Sequence, residues 1–104
     1  MQVHVRTDNN IEGSARMAAY FTETIQAALD RFAERITRVD VSLSDENAHK
    51  EGSNDKRCLL EARVNGLSPV VVTNLGENID VAFSGALDKL EKSLETAIEK
   101  QRSY

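Results

Sequence analysis

The chain has 104 residues, enough for one hydrophobic core and too few for two. Apolar side chains make up 40% and charged ones 29%, which excludes a disordered tail; with no Trp and three Phe, the core must be mostly Val, Leu, Ile and Ala. A formal net charge of −4, with no strongly basic third, argues against indiscriminate binding to nucleic acid or anionic membranes but leaves room for a local basic patch.

Residues 2–6, QVHVR, alternate as a short strand with Val3 and Val5 inward and Gln2, His4 and Arg6 outward. After a polar stretch, Ser14 is placed to cap a helix whose apolar residues Ala18, Phe21, Ile25, Ala28, Leu29 and Phe32 recur every three or four positions. The spacing predicts about five turns, ending near Glu34. ITRVDVSLS, 36–44, alternates again with Val39, Val41 and Leu43 inward. DENAHKEGSND, 45–55, has no apolar side chain larger than Ala48 and reads as a solvated loop.

KRCLLEARV, 56–64, resumes as a strand, and Asn65-Gly66 signals a hairpin into LSPVVVTN. A two-residue turn predicts that Leu60 faces Val71 and Cys58 faces Thr73 on the buried side. Leu59, Val70 and Val72 then form an apolar patch on the open side. Pro69 has no N–H to give a ladder, which makes this last strand an edge. Gly76 and Asn78 punctuate the turn into a second helix with the stripe Ile79, Phe83, Ala86, Leu87, Leu90, Leu94 and Ile98. The order β-α-β-β-β-α, with one apolar stripe per helix, predicts a two-layer α+β sandwich. Two helices pack on one face of a four-stranded mixed sheet, and its other face is left to solvent or a partner.

Chemistry is sparse. Cys58 falls in the inward register, where it serves as a small hydrophobe, and a lone cysteine fits a reducing cytoplasm. His4 and His49 show no metal-ligand spacing, Asp45/Glu46/His49 is a weak cluster, and the five glycines make no phosphate loop. No leader-like start and no run near the ~18 apolar residues of a spanning helix are present. Carboxylates fall on solvated faces rather than in general acid/base pairs. The expectation is a non-enzyme with no cofactor, metal, membrane or small-molecule substrate. The open sheet face, with Arg6, Arg57 and Arg63, suits RNA phosphates through its arginines or another protein through its apolar patch. On the second helix Glu91, Glu95 and Glu99 form an acidic stripe at i, i+4.

The segments VHVR, AAYFTETI, ITRVDVSLSDEN, EARVNG and DKLEKSL, in this order and spacing, resemble the ribosome hibernation-promoting factor / ribosome-associated translation inhibitor family over essentially the whole chain. The resemblance implies the same fold, a dsRBD-like sandwich, and a stress factor without catalysis. Such a factor docks on the small ribosomal subunit, contacts its rRNA through basic side chains and occupies the mRNA/tRNA channel. It also implies a single domain over 1–104, a short form without the C-terminal ribosome-pairing domain. Asp88, Lys89 and Leu90 match the family. Thr24 and Ala27 stand where relatives usually carry lysines, Glu95 and Glu99 where they end in a basic cluster, and the region of Asp80 lacks their aromatic.

Two function readings follow. In the first, Arg6, Arg57, Arg63, Lys89 and Lys92 bind rRNA and translation is inhibited. In the second, the same fold acts as a protein-interaction module or homodimer through Leu59, Val70 and Val72 without binding ribosomes.

Overall fold

In the computed structural model the described residues are 1–8, 11, 13–46 and 55–102, the side chain of Arg102 excepted. The elements run β1 (Gln2–Thr7), α1 (Ala15–Ala28), a 3-10 turn (Asp30–Phe32), β2 (Ile36–Asp45), β3 (Lys56–Val64), β4 (Val70–Gly76) and α2 (Ile79–Arg102). The strands lie in the order β1-β2-β3-β4. β1 is parallel to β2, as a helical crossover requires, and the other pairs are antiparallel. This is the predicted two-layer α+β sandwich, with β1 and β4 as its edges.

Each helix starts on a side-chain cap. Ser14 Oγ accepts from Met17 N–H at 3.0 Å, and Asn78 Oδ1 accepts from Val81 N–H at 2.9 Å, so a donor without an intrahelical partner is satisfied at both starts. The first helix is shorter than the expected five turns. Leu29 leaves the α region at φ −102°, ψ 14°, and Phe32 N–H then bonds back to Leu29 C=O, which tightens the chain into the 3-10 turn. Leu29 and Phe32 stay on the core side through this change, so the apolar spacing alone could not reveal it.

The core lies between the helices and one sheet face. Phe21, Ile25 and Leu29 from α1 and the turn after it meet Val39, Val41, Leu43, Leu60 and Ala62 from the sheet and Phe83, Leu90 and Leu94 from α2; all are at most 2% exposed. Phe21 and Phe83 stack with centroids 4.2 Å apart.

The hairpin differs from the predicted one by a single residue. Val64 C=O accepts from Leu67 N–H at 3.2 Å, with Gly66 at φ 79°, a left-handed value that favours glycine. Pairing then waits until Val70, which stands opposite Ala62; Val72 faces Leu60 and Asn74 faces Cys58. Half-buried Leu67 packs against the core, and Pro69 without an N–H lies outside the ladder. A one-residue slip exchanges the faces of a whole strand. Val70 and Val72 therefore pack against the core rather than forming the open patch, and Val71 and Leu75 are the exposed apolar residues of β4, at 51% and 53%.

Candidate nucleic-acid interface

The outward residues of the four strands line up in rows across the open face. They are Gln2, Arg38 and Arg63; His4, Asp40, Glu61 and Val71; Arg6, Ser42, Leu59 and Thr73; and Ser44, Arg57 and Leu75. Neighbouring strands are about 4.8 Å apart, so members of a row are in side-chain reach of each other.

The first two rows neutralise themselves. Arg38 Nε donates to Asp40 Oδ1 at 2.9 Å, and Asp40 is only 5% exposed although it points away from the core. Arg63 lies 4.0 Å from Glu61, a marginal surface pair that still cancels its charge at a distance. The last two rows hold no carboxylate of the strands themselves. Arg6 makes no ion pair among the described residues, while Arg57 meets Glu46, just beyond β2, at 3.7 Å. The hydroxyls of Ser42 and Ser44 lie between these two arginines, and that of Thr73 beyond them on β4.

This end of the face continues around the β4 edge. A groove of about 660 Å³ is lined by Arg57, Thr73, Asn74, Leu75, Glu46 and Lys89. Lys89 Nζ donates to the Thr73 carbonyl at 2.9 Å, so the lysine stands over the strand edge. Farther along α2, Lys92, Ser93, Thr96 and Lys100 line a second shallow depression, and Lys100 reaches toward Gly66 and Leu67 at the hairpin.

At 100° per residue along α2, Glu91 and Glu95 lie roughly opposite Lys89 and Lys100, while Lys92 falls between them on the outer ridge with Asp88 and Glu99. Glu95 meets Arg31 at 3.8 Å, on the side of the first helix and its 3-10 turn. Glu95 thus stands on the side of the first helix and Lys89 on the side of β4, with a mixed outer ridge between them.

Of the residues expected from the sequence, Arg6 and Arg57 fall in the rows without strand carboxylates, Lys89 at the adjoining β4 edge and Lys92 farther along α2, while Arg63 lies at the neutralised end of the sheet. Leu59 is on the open face as expected; Val70 and Val72 are not. Sequence reasoning missed Ser42, Ser44, Thr73 and Asn74, whose grouping depends on strand register. It also missed Lys100, for which the eight-residue spacing from Lys92 was an available signal. His49, from the weak Asp45/Glu46/His49 cluster, lies outside the described residues, as does Lys50. Lys56 is held by Asp55 at 2.9 Å and Asp45 at 3.3 Å. Donation to the Asp55 carboxylate raises the lysine's pKa most; desolvation opposes this, and the bond to Asp45 adds to the rise, so this cation is already engaged.

The remaining chemistry is muted. Cys58 is fully buried, and burial pushes its thiol up to about 12, so no thiolate nucleophile forms at neutral pH. Among the described residues no three His, Cys, Asp or Glu side chains converge to hold a metal ion. No helix among them is long and apolar enough to cross a membrane.

Solved structures share this fold, among them the following two. The Protein Y N-terminal domain of Thermus thermophilus superposes with a TM-score of 0.71 at 22% identity, covering 92% of this chain and 98% of that one. A ribosomal subunit interface protein from Coxiella burnetii gives a TM-score of 0.69 at 13% identity, covering 95% and 99%. No curated protein matches the chain. A family model described as "Sigma 54 modulation protein / S30EA ribosomal protein" matches residues 3–102, nearly the whole chain, and so the chain belongs to that family, the ribosome hibernation group named by its sequence segments.

Proposed function

We propose that the protein binds the small ribosomal subunit through rRNA phosphates and inhibits translation by occupying the mRNA/tRNA channel, without catalysis, cofactor or small-molecule substrate, in the cytoplasm. The observation that carries this reading is the basic band running from Arg6 and Arg57 across the β4 edge to Lys89, Lys92 and Lys100. Its arginines can fork onto phosphate oxygens, and its lysines act as mobile point charges at the edge. An rRNA backbone satisfies such a band in a way that a neutral protein surface does not. Family membership and the ribosomal interface protein among the structural neighbours point the same way.

With net charge −4, affinity must come from this local field, so binding is expected to be strongly salt-dependent. Cosedimentation of the purified protein with small subunits, at about 50 and about 200 mM salt, tests it. Binding that weakens steeply with salt is expected, along with reduced translation in a purified system. Absence of binding at both salts, while a short-form relative binds in the same tubes, rejects the reading.

The second reading, a protein-interaction or homodimer surface, rests on the exposure of Val71 and Leu75 beside Leu59. It replaces the patch of Leu59, Val70 and Val72 expected from the sequence. An oligomer that persists in high salt by size-exclusion chromatography would favour it; a monomer at all salts removes it.

A further inference from the structure

Two residues of the β4–α2 contact are poor choices for the elements that contain them. Gly85 lies inside α2, where glycine is the weakest helix former after proline, and Asn74 lies inside β4, where asparagine is depleted. Each explains the other. Asn74 faces inward, and its Nδ2 donates to the carbonyls of Ala82 at 3.2 Å and Val81 at 3.4 Å, in the first turns of α2. A Cβ on Gly85 would overlap the Asn74 amide, with Nδ2 and Cγ both inside contact distance. At the strand end, a Cβ on Gly76 would come within 2.5 Å of the Ala82 backbone nitrogen. The helix thus rides directly on the backbone of the edge strand, and an amide is keyed into it.

This keying fixes where the next turn of α2 stands. Lys89 is one turn beyond Gly85, and its Nζ reaches the Thr73 carbonyl, the residue before Asn74, at 2.9 Å. Lys89 and Arg57 then line the same groove, with Asn74 between them. We propose that Asn74, seated against Gly85, is a positioning residue that sets Lys89 across the groove from Arg57, so that the two cations meet one anionic strand together. This rests on the reading that the band binds rRNA. It adds that the geometry of the band is set by a neutral side chain which meets no phosphate itself.

Asn74→Leu keeps the branched shape, removes both donors and adds no charge. In the free protein, NOEs between the Lys89 side-chain methylenes and Thr73 are expected in the wild type and are expected to disappear in N74L. G85A, which pushes the amide out of its seat, is expected to do the same and serves if N74L fails to fold. On small subunits, N74L is expected to reduce the slope of log affinity against log salt by about 0.7–0.9, the loss of one phosphate contact. K89Q should produce the same reduction, and N74L/K89Q no more than either alone.

NOEs that survive both substitutions overturn the proposal whatever binding does. Additive losses in the double variant overturn it too, because Asn74 would then act other than through Lys89. If the NOEs vanish while neither N74L nor K89Q changes subunit binding, the positioning stands and the use of Lys89 on rRNA is rejected instead.

Discussion

The two faces of β2 and β3 are built from the same strands in the same register, yet they obey different rules. Val39, Val41, Leu43, Cys58, Leu60 and Ala62 are at most 2% exposed, under the two helices. Their alternating neighbours Arg38, Ser42, Arg57, Leu59, Glu61 and Arg63 meet solvent, apart from Asp40, which Arg38 covers. On the covered face, apolar volume and shape decide energy. On the open face, charge decides which half can still attract a partner, since both halves carry arginines and only one also carries strand carboxylates. Stability and binding should therefore be separable by substitutions one residue apart.

The largest expected effect is on the covered face. Leu60→Ala should cost about 2–5 kcal/mol, through lost burial and the cavity left between the layers. Arg57→Gln, on the opposite face of the same strand, should stay within about 0.5 kcal/mol in stability. Urea unfolding of both variants gives the comparison directly. Similar losses for the two would mean that the faces are not energetically distinct.

The covered face also holds the one strongly shifted thiol. Burial pushes the Cys58 thiol up to about 12 in the fold, well above the ordinary cysteine range. Between the two, the unfolded chain loses a proton that the folded chain keeps, so stability must fall as pH rises, by up to about 1.4 kcal/mol per unit. Lys56, raised by its hydrogen bonds to Asp55 and Asp45, adds a loss of the same sign above its unfolded pKa. Cys58→Ala lowers stability at neutral pH but removes the thiol component, so its stability should decline less steeply from pH 9 to 11. Parallel wild-type and C58A curves would contradict the burial of the thiol.

The same contrast explains what the sequence could and could not tell. The covered face was legible because alternation and helical spacing encode it locally: Val39/Val41/Leu43 and Phe83/Leu90/Leu94 were assigned to the core correctly. The open face depends on pairing between strands. Asn65-Gly66 announces a hairpin, but half-buried Leu67 and unpaired Pro69 displace the register by one, and that moved Val70 and Val72 inward and Val71 and Leu75 outward. The charges of α2 were all visible, yet the placing of Lys89 beside β4 and of Glu95 beside the first helix depends on which side meets the sheet edge. Family segments in order carried the fold and the family, because those are whole-chain properties.

On the open face, the rows predict unequal roles for arginines that look alike in sequence. Arg6→Gln and Arg57→Gln should each reduce the salt slope of small-subunit binding by about 1. Arg63→Gln should change it little, because Arg63 stands beside Glu61 in the half where Asp40 and Glu61 face each other. Equal slope changes for all three would erase the division into halves and extend the interface over the whole sheet.

The smallest effect expected is a gain. Glu46 holds Arg57 at 3.7 Å with both side chains about half exposed, and it also lines the groove where a phosphate would approach. Such a pair is worth about 0.2–1 kcal/mol, and part of that must be given up when Arg57 turns to an RNA oxygen. A carboxylate left facing the bound phosphate opposes binding further. Glu46→Gln removes the competitor and the repulsion while Ser44 Oγ, which donates to Glu46 Oε1 at 3.3 Å, can still donate to the amide oxygen. Small-subunit affinity should rise by up to about fivefold at low salt, and the gain should shrink as salt screens the groove. In an Arg57→Gln background the part due to competition should vanish, leaving only relief of repulsion. A full gain that persists without Arg57 would place the anion nearer Lys89 than Arg57, and would narrow the working interface to the edge of β4 and the Lys89 side of α2.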